Sequence, residues 1–267
     1  IVFINEVYLL QKNHKWNSNI AFFGLIISLF TRELIVVYSP VLLLCFYIIY
    51  KNNGLKKMNI KQPLILLSFF LILNIPSLLE NSKISYDQKL PPPKTNATWI
   101  QRQYLAQLMV NSGELKNFNH PSWEQTDAYL TENGENSLPR GIIEGFFFDF
   151  KLTVTEFFKD LFYCFLYGFR QLGLILFVPL FFLFKNVFKT KRLSLEMLIP
   201  ISLYMMIAIF SLIIISFVEL RWLAPFFIMS IIYFSDIQKK GMIHKRGLTL
   251  TLLIPVGLVL FFSIFAC

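Results

Sequence analysis

Between Ile20 and Tyr50 the chain runs for 31 residues with one charged pair, Arg32-Glu33, inside an otherwise almost unbroken apolar stretch. As a single helix it would reach about 46 Å at 1.5 Å per residue, against a hydrocarbon core of roughly 30 Å. Lysines flank both ends, Lys12 and Lys15 on one side and Lys51 on the other. One crossing would put these flanks on opposite sides of a membrane. A break at Thr31-Arg32-Glu33 removes both difficulties: Ile20 to Phe30 climbs, the polar tip turns, and Leu34 to Tyr50 returns. Membranes tolerate such broken helices where the backbone lines a wet cavity or is buried in protein. The alternative is one crossing, which would move only Lys12 and Lys15 to the other side.

The composition agrees with a membrane setting. Hydrophobic residues make up 55% of the chain, charged residues only 15%, Phe occurs 30 times and the mean hydropathy is +0.58. A soluble domain of 267 residues could not hide so much apolar surface. Apolar runs at Pro63–Leu79, Leu195–Phe217 and Leu248–Ala266 approach or exceed the roughly 17 to 25 residues of a transmembrane helix. Shorter ones at Leu172–Phe184 and Trp222–Phe234 add further spans. The expected fold is an all-α polytopic membrane helix bundle, with a broken-helix hairpin at 20–50 and an extracytoplasmic loop region carrying short helices. The first residue is Ile and no signal peptide is visible. The last apolar run stops at Cys267, so the sequence reads as a segment of a longer protein.

A net charge of +9 in a soluble protein would suggest a nucleic-acid partner, but here the placement decides and no nucleic acid is expected. Basic residues gather in four short stretches: Lys12 and Lys15; Lys51, Lys56, Lys57 and Lys61; Lys185, Lys189, Lys191 and Arg192; Lys239, Lys240, Lys245 and Arg246. The positive-inside rule puts these in the cytoplasm. In the long segment Glu80 to Phe150 six basic residues are outnumbered by nine carboxylates, which puts it on the other side. Three divisions result: membrane helices over 1–79, an extracytoplasmic loop region over 80–150, and an interfacial amphipathic helix followed by membrane helices over 151–267.

Local signals give detail. Thr98 with Gln101, and Ser122 with Gln125, fit capping boxes ahead of "WIQRQYLAQLMV" and "WEQTDAYL", with Gly113 and Gly134 as stops. From Val154, apolar residues at Phe157, Phe158, Leu161, Phe162, Phe165 and Phe169 surround Glu156, Lys159 and Asp160, the pattern of an interfacial amphipathic helix. Cys45, Cys164, Cys267 and the three histidines lack ligand spacing, so no metal site or disulfide frame is read.

Two constellations could carry chemistry. Arg32, expensive at membrane depth, needs a partner or water; it either pairs with Glu33 to stabilise the hairpin tip or serves a site. In "VELRWLAPFF", Glu219 and Arg221 stand at the outer end of one span with Pro225 early in the next. This is either an interfacial turn anchored by Trp222 or an arginine fork for a lipid-linked phosphate. Tyr86, Asp87, His120, Trp123 and Glu124 either line an outer pocket or hold the loop region together.

"FFGLIISLFTRELIVVYSPVLLL" resembles the segment of GT-C membrane glycosyltransferases in which an apolar run ends in Thr-Arg or Thr-Lys and resumes. "LRWLAPFFIMSIIYF" is similar to their late span with Arg-Tyr and Pro, here with Trp222 in the Tyr position. Within that superfamily the likeness is to bacterial relatives of protein mannosyltransferases and aminoarabinose transferases. The resemblance implies sugar transfer from a polyprenyl-phosphate-linked donor to a lipid, glycan or protein acceptor at the outer face of a bacterial inner membrane. It implies Arg32 and Arg221 as donor-phosphate ligands, with Glu33, Glu219, Tyr86, His120 and Trp123 as cavity or acceptor groups. The catalytic carboxylate of such enzymes would precede Ile1, and a divalent metal used by some members would bind mainly there. A transporter or lipid flippase, or a polysaccharide polymerase or ligase, are the competing readings.

Overall fold

The computed structural model describes residues 1–31, 35, 37–81, 95–116, 119–191, 194–213, 218–243, 247, 249, 251, 253, 254 and 257. Among them every regular element is a helix. Four helical stretches are long and apolar enough to cross a membrane: Lys61–Leu79, Phe150–Thr190, Leu195–Leu212 and Leu220–Lys239. The fold is therefore that of an all-α polytopic membrane protein. The chain groups into two compact units. The first comprises 1–86, 168–206 and 223–267, the second 87–167 and 207–222.

In the first unit α1 (Val2–Gln11) and α2 (Ser18–Thr31) form a hairpin, and α3 (Ser39–Lys51) follows. Helix α2 is described as far as Thr31, whose hydroxyl donates to the carbonyls of Ile27 and Ser28 at 2.9 and 3.3 Å; Arg32, Glu33 and Leu34, where the length argument puts the break, lie outside the described residues. The return of α3 is visible in ring contacts: Phe22 and Phe46 lie 6.2 Å apart, and Phe3 touches both at 5.8 and 5.5 Å. Residues 22 and 46 on one straight helix would be roughly 36 Å apart. The 20–50 run is a hairpin.

The ends of these helices gather. Ser18 at the start of α2 exchanges hydrogen bonds with Asn59, just before α4 (Lys61–Asn81). The Tyr8 hydroxyl donates to Asp236 at 2.6 Å, near the end of α11 (Ala224–Lys239). The Gln11 amide donates to the carbonyl of Leu195, which opens the 3-10 turn before α10 (Leu198–Leu212). Lys12 lies in the field of Lys240. Three of the four basic stretches thus share one end of this unit, the clustering that a single cytoplasmic face demands.

The second unit holds α5 (Trp99–Ser112), α6 (Trp123–Asn133), α7 (Ile142–Phe148) and most of α8 (Phe150–Leu172). Both predicted capping boxes form, with Thr98 and Ser122 accepting from the backbone of Gln101 and Gln125 while those side chains accept in return. Gly113 ends α5 at φ +81°, the left-handed position glycine takes without strain. The core joins Ala97, Tyr104, Leu105, Leu130 and Leu138, with Trp123 and Tyr129 packed against it.

Helix α8 begins a turn earlier than the apolar pattern from Val154 suggests. Asp149 caps it, its Oδ1 accepting from the Leu152 amide at 2.9 Å. Its outward positions include the apolar Phe150, Val154, Phe158, Phe162 and Leu166, with Phe158 and Phe162 62% and 69% exposed, beside Lys151, Thr155 and Lys159 in its N-terminal half. Its inward positions include Thr153, Cys164 and the carboxylate of Glu156, which is only 5% exposed. This is the reverse of a helix on a soluble protein and suits one whose outer face meets lipid. With α9 (Val178–Thr190) the helical path covers 41 residues, roughly 60 Å if straight, twice a hydrocarbon core. Gly173, at φ +54°, divides it.

Candidate functional site

The N-terminus of α5 and the chain before α6 meet through Arg102. Its Nε donates to the Pro121 carbonyl at 2.7 Å, and its guanidinium lies 4.9 Å from the centre of the Trp123 ring. Such stacking fixes the plane of the fork as well as its charge. Trp123, read from the sequence as a pocket aromatic, is thus a platform for an arginine.

His120, beside Pro121, is half-buried. Burial and then the Arg102 cation hold its pKa below the ordinary histidine value, while Glu219 pulls it the other way. The imidazole is therefore neutral at pH 7, with one N–H donor and one acceptor nitrogen. Glu124 in the first turn of α6 is fully exposed and held below the ordinary carboxylate range, first by its own backbone amide and then by Ser122.

Glu219 belongs to the segment 218–222, in the same unit as His120. It accepts from Arg221 Nε in an ion pair in which the Arg221 side chain is 65% exposed and the Glu219 side chain 25%. The Trp222 amide donates to the Glu219 carbonyl at 2.9 Å, and the Trp222 ring lies 5.7 Å from Phe210 of α10. Glu219 thus holds the Nε edge of the Arg221 fork, while the Arg221 side chain as a whole stays mostly exposed. Of the residues singled out in the sequence, His120, Trp123, Glu124, Glu219 and Arg221 are described in this unit. Arg32, Glu33, Tyr86 and Asp87 lie outside the described residues.

Sequence reasoning missed Arg102 and the surroundings of Glu156. Arg102 stands at N4 of a helix whose N-cap is plain in the sequence, and a Pro-Ser-Trp follows about a helix length later; that spacing was the available signal. Glu156 accepts from Gln107 and Asn111 of α5, each at 3.0 Å, and from Lys159 at 2.8 Å. One turn on, Asp160 Oδ2 is buried with no hydrogen-bond partner among the described residues. The Glu156 carboxylate clips α5 to α8, because three donors satisfy it at a place water does not reach.

Among the described residues no group of three or more His, Cys, Asp or Glu side chains is arranged to hold a metal ion. The residues of this site do not make a divalent-metal set. Chemically the arrangement offers two guanidinium forks, one stacked and one ion-paired, and a neutral imidazole in the same unit. That set suits phosphate oxygens. No family model, characterised protein or solved structure matches the chain.

Proposed function

We propose that the protein transfers a sugar from a polyprenyl-phosphate-linked donor to a lipid, glycan or protein acceptor at the outer face of a bacterial inner membrane, as a multi-pass enzyme. The observation that carries this reading is the Arg221 fork, tethered by Glu219 through one edge and otherwise exposed, in one unit with His120 and Arg102. A permanent cation held at one edge can take two phosphate oxygens bidentately through its other nitrogens, at little further cost in side-chain freedom. In this reading Arg221 holds the donor phosphate; Arg32, to which the resemblance gives the same role, lies outside the described residues. His120 gives it one N–H, and Glu219 orients Arg221. The outward apolar face of α8 offers a surface compatible with a polyprenyl chain. The resemblance of the 22–44 and 220–234 segments to GT-C transferases supports the same chemistry.

The test uses the full protein in proteoliposomes with a polyprenyl-phosphate-linked hexose. Arg221→Ala lowers transfer at least about a hundredfold with unchanged membrane abundance, the scale of losing one preorganised charge donor, and Arg221→Lys restores part of it. Transfer that survives Arg221→Ala unchanged removes the donor-phosphate role. Movement of the lipid-linked sugar across the bilayer without transfer favours the flippase reading.

A further inference from the structure

Between α5 and α6 an open cavity of about 380 Å³ lies in the second unit, within the size range of small-molecule sites. Its floor is apolar, from Leu105, Met109 and Tyr129, and its rim polar, from Glu114, Gln125 and Glu132. Both are set before any ligand arrives. Leu105 belongs to the buried core, with Met109 and Tyr129 packed against it. After Gly113, the amides of Glu114 and Leu115 donate to the Met109 carbonyl at 2.9 and 3.0 Å, fixing the turn. The Ser112 hydroxyl then donates to Glu114 Oε1 at 2.8 Å. Gln125 Oε1 is taken by the Ser122 amide at 2.7 Å, so a ligand meets this side chain through its Nε2 donor.

The charge of the rim selects the ligand. None of the residues around the cavity is basic while two are carboxylates, so an anion is repelled. An isolated ammonium gains little from carboxylates open to water. A sugar ring meets every group: its hydroxyls donate to Glu114 and Glu132, a ring or hydroxyl oxygen accepts from Gln125, and its C–H face lies on Tyr129. We infer that this cavity binds the uncharged saccharide of the acceptor, an assignment that rests on the transfer reading above. The second unit then carries two sites of opposite character, cationic around Arg221 and Arg102 for phosphate, acidic between α5 and α6 for hydroxyls.

The full chain in lipid nanodiscs is titrated with methyl α-D-mannoside, methyl β-D-glucoside and methyl β-D-galactoside by saturation-transfer NMR, with pentyl β-D-glucoside standing for a lipid-linked sugar. At least one glycoside binds saturably, and the double variant Glu114→Gln/Glu132→Gln weakens it about tenfold, as expected when two charge-assisted hydrogen bonds become neutral ones. Both positions are exposed, and an unchanged Tm shows that the fold is intact. Arg221→Ala leaves this binding within about twofold of wild type. Binding of the pentyl glycoside alone supports the same site with a lipid-linked source. No saturable binding, or binding indifferent to the double variant, overturns the assignment and leaves the Arg221 result standing. Glycoside binding lost in the double variant, beside transfer indifferent to Arg221→Ala, keeps the cavity and removes the donor reading.

Discussion

Helix α6 and most of α8 belong to the same unit and obey opposite rules. In α6 the buried positions include Leu130 and Thr126, the exposed ones Glu124, Gln125 and Glu132, and a capping box closes the first turn. In α8 phenylalanines face outward and a carboxylate faces inward. Helix α4 goes further, with Ile65 70% exposed and apolar side chains outward along its length. The contrast teaches that exposure in this molecule means two different solvents. Next to water, the outer surface is where charges are stable; next to hydrocarbon, the inner surface is.

The strongest way to break that comparison is at Glu156. If its burial is structural, Glu156→Ala leaves the Gln107 and Asn111 amides without their acceptor and lowers stability by about 3 kcal/mol or more. Phe162→Ala on the outward face, which forms no such core, costs less than about 1 kcal/mol. Thermal unfolding in detergent compares them; equal losses would show that α8 does not bury its polar side. A smaller effect sharpens the water-facing half. Thr98→Ala and Ser122→Ala each remove a cap worth about 1 kcal/mol, and because Arg102 ties the start of α5 to the chain before α6 the paired loss departs from the sum. Smallest is a pH effect at His120. Its folded pKa is lowered, so the folded state binds fewer protons than the unfolded one once the pH falls to the ordinary value of 6.5. The corresponding stability is complete above that value and drains away as the pH drops through it toward the folded pKa. Between pH 7.5 and 5.5 the wild type therefore loses a part of its Tm that His120→Gln keeps; parallel pH profiles would count against the burial.

What the sequence revealed divides by range. The capping boxes, the stops at Gly113 and Gly134 and the return of the 20–50 run were legible because each is decided within a turn or by comparing a length with a membrane. The runs Pro63–Leu79 and Leu195–Phe217 could be read as long enough to cross, for the same reason, whereas the third such run, Leu248–Ala266, lies mostly outside the described residues. The inward aim of Glu156 was not legible, since its donors Gln107 and Asn111 lie 49 and 45 residues away and a helical wheel cannot tell an inner polar face from an outer one. Helix α7, of seven residues, is too short for periodicity to show. Arg102 went unread because its role is set by Pro121 and Trp123, which only the fold brings to it. His120, Trp123, Glu219 and Arg221 were legible as residue types, whereas their arrangement was not.

The bond from Tyr8 to Asp236 spans 228 residues of chain. A ribosome adding about 5 to 20 residues per second delivers the second partner on the order of ten to forty seconds after the first. During that interval α1 and the hairpin it braces stand without their closing contact, so an early helix must be kept from wrong partners until the last one emerges. Closure of this contact in a membrane waits on the arrival of α11.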